Sequence, residues 1–282
     1  LHTRARYLLF IPWLAQIAAS KKDQLGWFEW LEREMIARFL EDGTVPDDDR
    51  ISGLIGNRAG PQVKQLPSTA YWTALDAWGV LSLPGSVAET LDRMRMRPGR
   101  SNSDDADELA ERHVSIWDPG VGDVPEGFPS DTIDGGFRLK PHEASWLRER
   151  WLRTAGGSML AHLVTEGQHL SDAWAPWVEP ACRSADASIL AVMDEAERFS
   201  LALGGARSLY QLRLAEEYVA HGFDRVDVDF DEVRAELDAW ADEVSARAEL
   251  FDGWEPAEFW ACVLSENTRI DPLSRRFFDV WF

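Results

Sequence analysis

Within MLAHLVTEGQHLSDAW, the residues His162, Glu166 and His169 have the types and spacing of a metal or acid–base site. Side chains three and four apart share one face of a helix, so all three converge if the helix runs through them. Glu166 and His169 also give the E-x-x-H spacing by which helical bundles hold paired metals. Such a site needs a second matching pair and further glutamates, and the chain has no second E-x-x-H. Gly167 weakens the helix between them. The competing reading is a polar helix face or an internal hydrogen-bonded cluster. If the three residues do act on a substrate, metal-dependent hydrolysis is the reaction that they favour. The expectation is that the protein carries no cofactor.

Other chemistry finds less support. Cys182 and Cys262 stand in apolar settings with no histidine or basic cluster beside them, which fits buried structural thiols rather than reactive thiolates. No phosphate loop, dinucleotide fingerprint, G-x-S-x-G elbow, H-E-x-x-H or zinc-spaced cysteine pair occurs. GLIGNRAG has three glycines but lacks the lysine and hydroxyl of a triphosphate cradle, so it reads as a turn between helices. Asp227, Asp229 and Asp231 lack the glycine and final glutamate of a calcium loop, and helix capping explains them better.

A recognition surface is a further candidate. In NRAGPQVKQLPSTAYW, Arg58 and Lys64 bracket a turn, and Ser68, Thr69, Tyr71 and Trp72 open the next helix. A helix start beside basic residues suits a phosphate. With Arg4 and Arg6 of the opening LHTRARY, these cations make Arg4, Arg6, Arg58 and Lys64 the candidates for nucleic-acid contact.

The charge distribution limits where such contact can occur. The chain of 282 residues has a net charge of -20. Residues 1–100 hold 13 basic and 12 acidic residues, whereas residues 101–282 hold 16 and 37. The second region therefore repels free nucleic acid. Two cysteines supply neither a disulfide framework nor a thiolate metal cage, and a reducing cytoplasm is expected. No stretch reaches the roughly 20 apolar residues of a membrane helix, so no membrane contact is expected. Fourteen tryptophans argue for packed cores rather than disorder.

The elements that must position these residues are helical. Residues 7–19 read as a mostly apolar helix flanked by His2, Arg4 and Arg6, with Pro12 inside it or beginning it. WFEWLEREMIARFL places Phe28, Leu31, Met35 and Phe39 at helical spacing. Ser68 or Thr69 is expected to cap a helix over Tyr71, Leu75 and Trp78 that Gly79 ends. Pro141 starts another helix with Ala144, Leu147, Trp151 and Leu152 inward. Further helices are expected at 157–170, 185–203, 205–221 and from Asp229 onward, the last with Val233, Leu237, Trp240 and Val244 as its stripe. Strand patterns are nearly absent. The fold class is mainly α, an irregular multi-helical bundle with a long Pro/Gly-rich connecting segment. The expected organisation is an N-terminal helical region over 1–100, a linker or wrapping loop over 101–136, and an acidic C-terminal helical domain over 137–282. Within the linker, a helical turn is expected at 107–113, and Asp104, Asp105 and Asp107 should face solvent. Trp146, Trp151, Leu209, Leu212, Leu237 and Trp240 should be largely buried.

HTRARYLLFIPW, IGNRAGPQVKQLPSTAYWTALDAWGV, FRLKPHEASWLRERW and AERFSLALGGARSLYQLRLAEEY occur in that order. Together they resemble an uncharacterised bacterial family, a domain of unknown function. The resemblance implies membership of gene neighbourhoods devoted to defence against phage or other mobile DNA, and sequence upstream of HTRARY. It carries no catalytic residues. The leading expectation is a non-enzymatic helical adaptor or scaffold in a bacterial, antiphage protein assembly, with other proteins of that defence or DNA-processing assembly as partners. The alternatives are a nucleic-acid-binding component using the basic N-terminal face, and a metal-dependent hydrolase.

Overall fold

Leu8, Leu9, Phe10, Ile11 and Leu14 leave the first helix almost no polar face, and a helix that is apolar all round belongs inside a core. The computed structural model describes residues 4–41, 53–95, 115–131, 133–167, 171, 173–222, 229–266 and 270–281. In it α1 (Tyr7–Ala19) is buried along most of its length and continues through Pro12. Around it pack α2 (Gln24–Glu41), α3 (Pro67–Ala77) and α4 (Val87–Arg95). The expected stripe of α2, Phe28, Leu31, Met35 and Phe39, is wholly buried. Phe39 stacks on Phe137 at 4.4 Å, and Phe10 reaches Phe39 and Phe128 within 5.8 Å and 5.5 Å. GLIGNRAG is a turn, as its glycines imply, and leads into a short 3-10 turn at Gly60–Gln62.

The connecting segment wraps this core where it is described. Ile116, Trp117, Val121 and Ile133 are buried. Trp13 Nε1 donates to the Val121 carbonyl at 2.9 Å. Leu81 and Trp117 form one isolated antiparallel bridge, and no sheet occurs among the described residues. The expected turn at 107–113 and the aspartates at 104, 105 and 107 lie outside the described residues, as does His2.

The helix begun by Pro141, α5 (Pro141–Thr154), joins this first unit. Arg150 Nη2 lies 2.7 Å from Asp118 Oδ2, and Trp146 Nε1 donates to Asp118 Oδ1 at 2.7 Å. The chain divides into two compact units, Leu1–Gly156 and Gly157–Phe282. α5 belongs to the first of these units, tied to the wrapping segment through Asp118.

The second unit contains α6 (Met159–Glu166), α7 (Pro180–Arg183), α8 (Ala187–Ala220), α9 (Phe230–Ala246), α10 (Pro256–Glu266) and α11 (Pro272–Trp281). Asp229 caps α9 by accepting the Asp231 and Glu232 N–H groups. The two helices expected at 185–203 and 205–221 are one helix of 34 residues. Gly204 and Gly205 do not break it. They form a notch that the Trp240 indole fills, and a Cβ on Gly205 would collide with that ring. Trp240 Nε1 donates to the Leu201 carbonyl at 2.7 Å, and Trp281 Nε1 to Ala202 at 3.0 Å. Phe199, Phe259 and Phe278 stack beside this point, Phe199 on Phe259 at 4.9 Å.

Expected burial is met at Leu212. Trp146, Trp151, Leu209, Leu237 and Trp240 are half-buried, and Ala144 is exposed. No helix among the described residues is long and apolar enough to cross a membrane. The architecture is mainly α, multi-helical and irregular.

Candidate functional site

Two of the metal-like trio, His162 and Glu166, lie on α6. Ser158 caps α6 through the Ala161 N–H, and Gly167, with φ 62°, ends it in the left-handed region that glycine favours. The helix thus stops before His169, which lies outside the described residues. His162 Nε2 sits 2.9 Å from the Ala181 carbonyl and 3.2 Å from Ser184 Oγ, which ties α6 to α7. Glu166 is exposed. Among the described residues no group of three or more His, Cys, Asp or Glu is placed to hold a metal ion. Cys182 is buried, and burial followed by Glu179 pushes its thiol up, away from nucleophilic use.

The four nucleic-acid candidates have different environments. Arg58 and Lys64 are exposed. Arg4 is half-buried, its guanidinium 5.8 Å from the centre of the Phe137 ring and its N–H donating to the Tyr71 hydroxyl. Arg6 is 3% exposed. Its Nη1 donates to the carbonyls of Asp134 and Gly136 at 2.7 Å and 2.5 Å, and its Nη2 to Glu143 Oε1 at 3.1 Å. Nε lies 3.1 Å from Glu143 Oε2 without the alignment of a hydrogen bond. Arg6 therefore has no surface for a phosphate, and its charge instead joins α1 to α5. Spacing cannot distinguish this arginine from a solvent-facing one, since either would stand just before the apolar helix.

Sequence reasoning also missed a buried carboxylate. Glu32 is fully buried on α2, and being four residues after Phe28 and three before Met35 it lies on the same face as the apolar stripe. Its Oε1 accepts the Ser68 N–H at 2.6 Å and its Oε2 the Ser68 Oγ–H at 2.9 Å. Neither Ser68 nor Thr69 is the cap of α3. Leu66 holds that position, Pro67 begins the helix, and Glu32 supplies the acceptor from another helix. Burial, the largest cause, raises the Glu32 carboxyl from 4.5 to about 7, against the lowering effect of the two Ser68 bonds.

An apolar surface in the second unit is a further candidate. α8, α10 and α11 enclose an open apolar groove of about 850 Å³. Phe199 and Leu203 form its α8 side, Phe259 and Val263 its α10 side, and Leu273 and Phe277 its α11 side. A neighbouring depression of about 590 Å³ shares Phe199, Leu203 and Phe277 and continues to Tyr210. From Val192 to Tyr210 the lining of α8 runs about 27 Å at the helical rise. Leu273, Phe277 and Val280 recur at helical spacing on α11 and are 73%, 54% and 79% exposed. Contiguous apolar exposure of this kind marks interaction surfaces. The signal was present in PLSRRFFDVW, but its spacing equally describes a core-facing stripe. Cys262 also lines the groove and is half-buried.

The fold and this groove define a class: a two-unit, mainly helical protein with an apolar trough and, among its described residues, no assembled catalytic or metal-binding cluster. Over residues 1–282 the sequence matches the family described as Family of unknown function (DUF6361), and the chain belongs to that family. No curated protein and no solved structure matches it.

Proposed function

We propose that the protein is a non-enzymatic helical adaptor that docks an amphipathic, basic-flanked helix of a partner protein in the trough along α8. The trough carries this reading. It is open, apolar and about 27 Å long, which suits a helix of about five turns laid lengthwise. Charge selects the occupant. Residues 157–282 hold 10 basic and 25 acidic residues, so the unit attracts a helix with lysine or arginine on its polar face and repels a second copy of itself. A bacterial antiphage assembly is the setting that the family resemblance implies, and it is part of this proposal.

The test uses the full chain and synthetic 18-residue amphipathic helices with one apolar leucine face. One peptide carries lysines on its polar face, one carries glutamates, and one is a scramble. Fluorescence anisotropy should show saturable binding of the lysine peptide that weakens with salt. Phe277→Glu should abolish binding while leaving the melting temperature unchanged, because Phe277 is more than half exposed. Equal binding of the glutamate or scrambled peptide, or indifference to Phe277→Glu, overturns the reading. So does a dimer in sedimentation that Phe277→Glu dissolves.

A further inference from the structure

A tryptophan 69% exposed is an unusual surface residue, and Trp174 is one. It meets Trp177 edge to face, ring centres 5.7 Å apart and planes at 86°. Both line a pocket of about 410 Å³ that Trp240 also lines. Trp240 is held firmly by its bond to Leu201 and its seat on the glycine notch. Three carboxylates, Glu197, Glu236 and Glu243, face the same space as two guanidiniums, Arg207 and Arg247. Arg247 Nη1 lies 3.2 Å from Glu197 and 3.5 Å from Glu243. Glu197 also has Arg183 at 3.4 Å. Glu236 is exposed and has no ion pair among the described residues. Arg207 also borders the trough on the neighbouring side.

Indole faces carry negative charge density and attract cations, most strongly where water is excluded. Perpendicular indoles wall a compact group, whereas a planar base needs parallel faces on which to stack. An ammonium whose protons are replaced by methyl groups sheds water easily and has no hydrogen bonds to lose against an aromatic wall. Trp177 Nε1 is buried with no hydrogen-bond partner, a donor that an oxygen on the ligand would satisfy. We infer that this pocket binds a quaternary or methylated ammonium group, with Trp174, Trp177 and Trp240 as its walls and Glu236 as its counter-charge. The inference is independent of the docking trough.

Isothermal titration of the full chain with tetramethylammonium chloride, choline, and a trimethyl-lysine peptide beside its unmethylated form tests it. Tetramethylammonium should bind saturably in the millimolar range. Trp174→Ala should weaken it about tenfold, as expected for loss of one cation–π wall, and Glu236→Gln a few-fold. Exposure of Trp174 means that its truncation leaves the fold intact, which an unchanged melting temperature will verify. Phe277→Glu, in the trough, should leave the affinity unchanged. Choline binding more tightly than the methylated peptide assigns a small metabolite as the source of the group, and the reverse assigns a modified protein tail. No saturation, equal binding of ammonium chloride and tetramethylammonium, or indifference to Trp174→Ala overturns the proposal.

Discussion

Replacing Glu32 by glutamine should make the first unit more stable at pH 8 and change it little at pH 5. The Glu32 side chain is out of water and accepts the Ser68 N–H and hydroxyl, but no cation pairs with it among the described residues. Burial penalises the charged form more than those two bonds reward it, which is why the carboxyl rises from 4.5 to about 7. The sign follows from linkage. A carboxyl whose folded value exceeds its unfolded value favours folding fully below about 4.5, and that contribution is lost as pH rises through about 7. A displacement of this size corresponds to about 3 kcal/mol between the two limits. Glutamine imitates the protonated acid and does not titrate, so the variant keeps at pH 8 what the native chain loses.

Urea unfolding followed by tryptophan fluorescence at pH 5 and pH 8, on both proteins, gives the quantity needed. The difference between variant and native cancels the other acidic groups, which titrate in both. Hydrogen exchange at the α3 amides reports the same change locally, because Ser68 lies in the first turn of that helix. The expected result is a variant-minus-native difference that moves toward the variant by about 1 to 3 kcal/mol from pH 5 to pH 8, the upper limit being the full linkage value. A difference that is the same at both pH values would refute the reasoning. It would mean that the Ser68 bonds and the helix start hold the carboxylate ionised at little cost.

Arg6→Met should destabilise the chain by about 3 to 5 kcal/mol in thermal or urea unfolding, because it strands the buried Glu143 carboxylate. Arg58→Ser with Lys64→Ser should change stability by no more than about 0.5 kcal/mol each, as exposed sites do. Gly205→Ala should cost about 1 to 3 kcal/mol, since its methyl enters the space of the Trp240 ring. Gly204→Ala, with Trp240 Cδ1 at 3.3 Å from the added Cβ, should be near neutral, its helix-propensity gain of up to about 1 kcal/mol offsetting the tighter contact. Adding Trp240→Ala should rescue Gly205→Ala in a double-mutant cycle, and no coupling between them would disprove the notch.

Periodicity reveals which face of a helix is apolar, but not what that face meets. The stripe of α2 was legible because Phe28, Leu31, Met35 and Phe39 outnumber every other explanation at their spacing. Glu32 lies in register with that stripe, but its role was not legible, because its partner Ser68 is remote in sequence and nothing local marks a carboxylate as an acceptor for another helix. The partners of Arg6 were hidden for the same reason: the two carbonyls and Glu143 come from the wrapping segment and α5. Two adjacent glycines inside a helix cost about 1 kcal/mol each against alanine. In place, the pair lets the Trp240 ring lie against α8, and the indole's burial and its bond to Leu201 outweigh that cost. The exposed apolar stripe of α11 was hardest to see for a complementary reason. Leu273, Phe277 and Val280 obey the same helical spacing as core residues, and only the absence of a covering element separates a docking stripe from a buried one. Sequence pattern therefore identifies apolar faces in this chain, while their roles depend on contacts between remote segments. At Trp174 and along the trough, that dependence extends beyond the chain itself, to a ligand or partner that would cover the exposed rings.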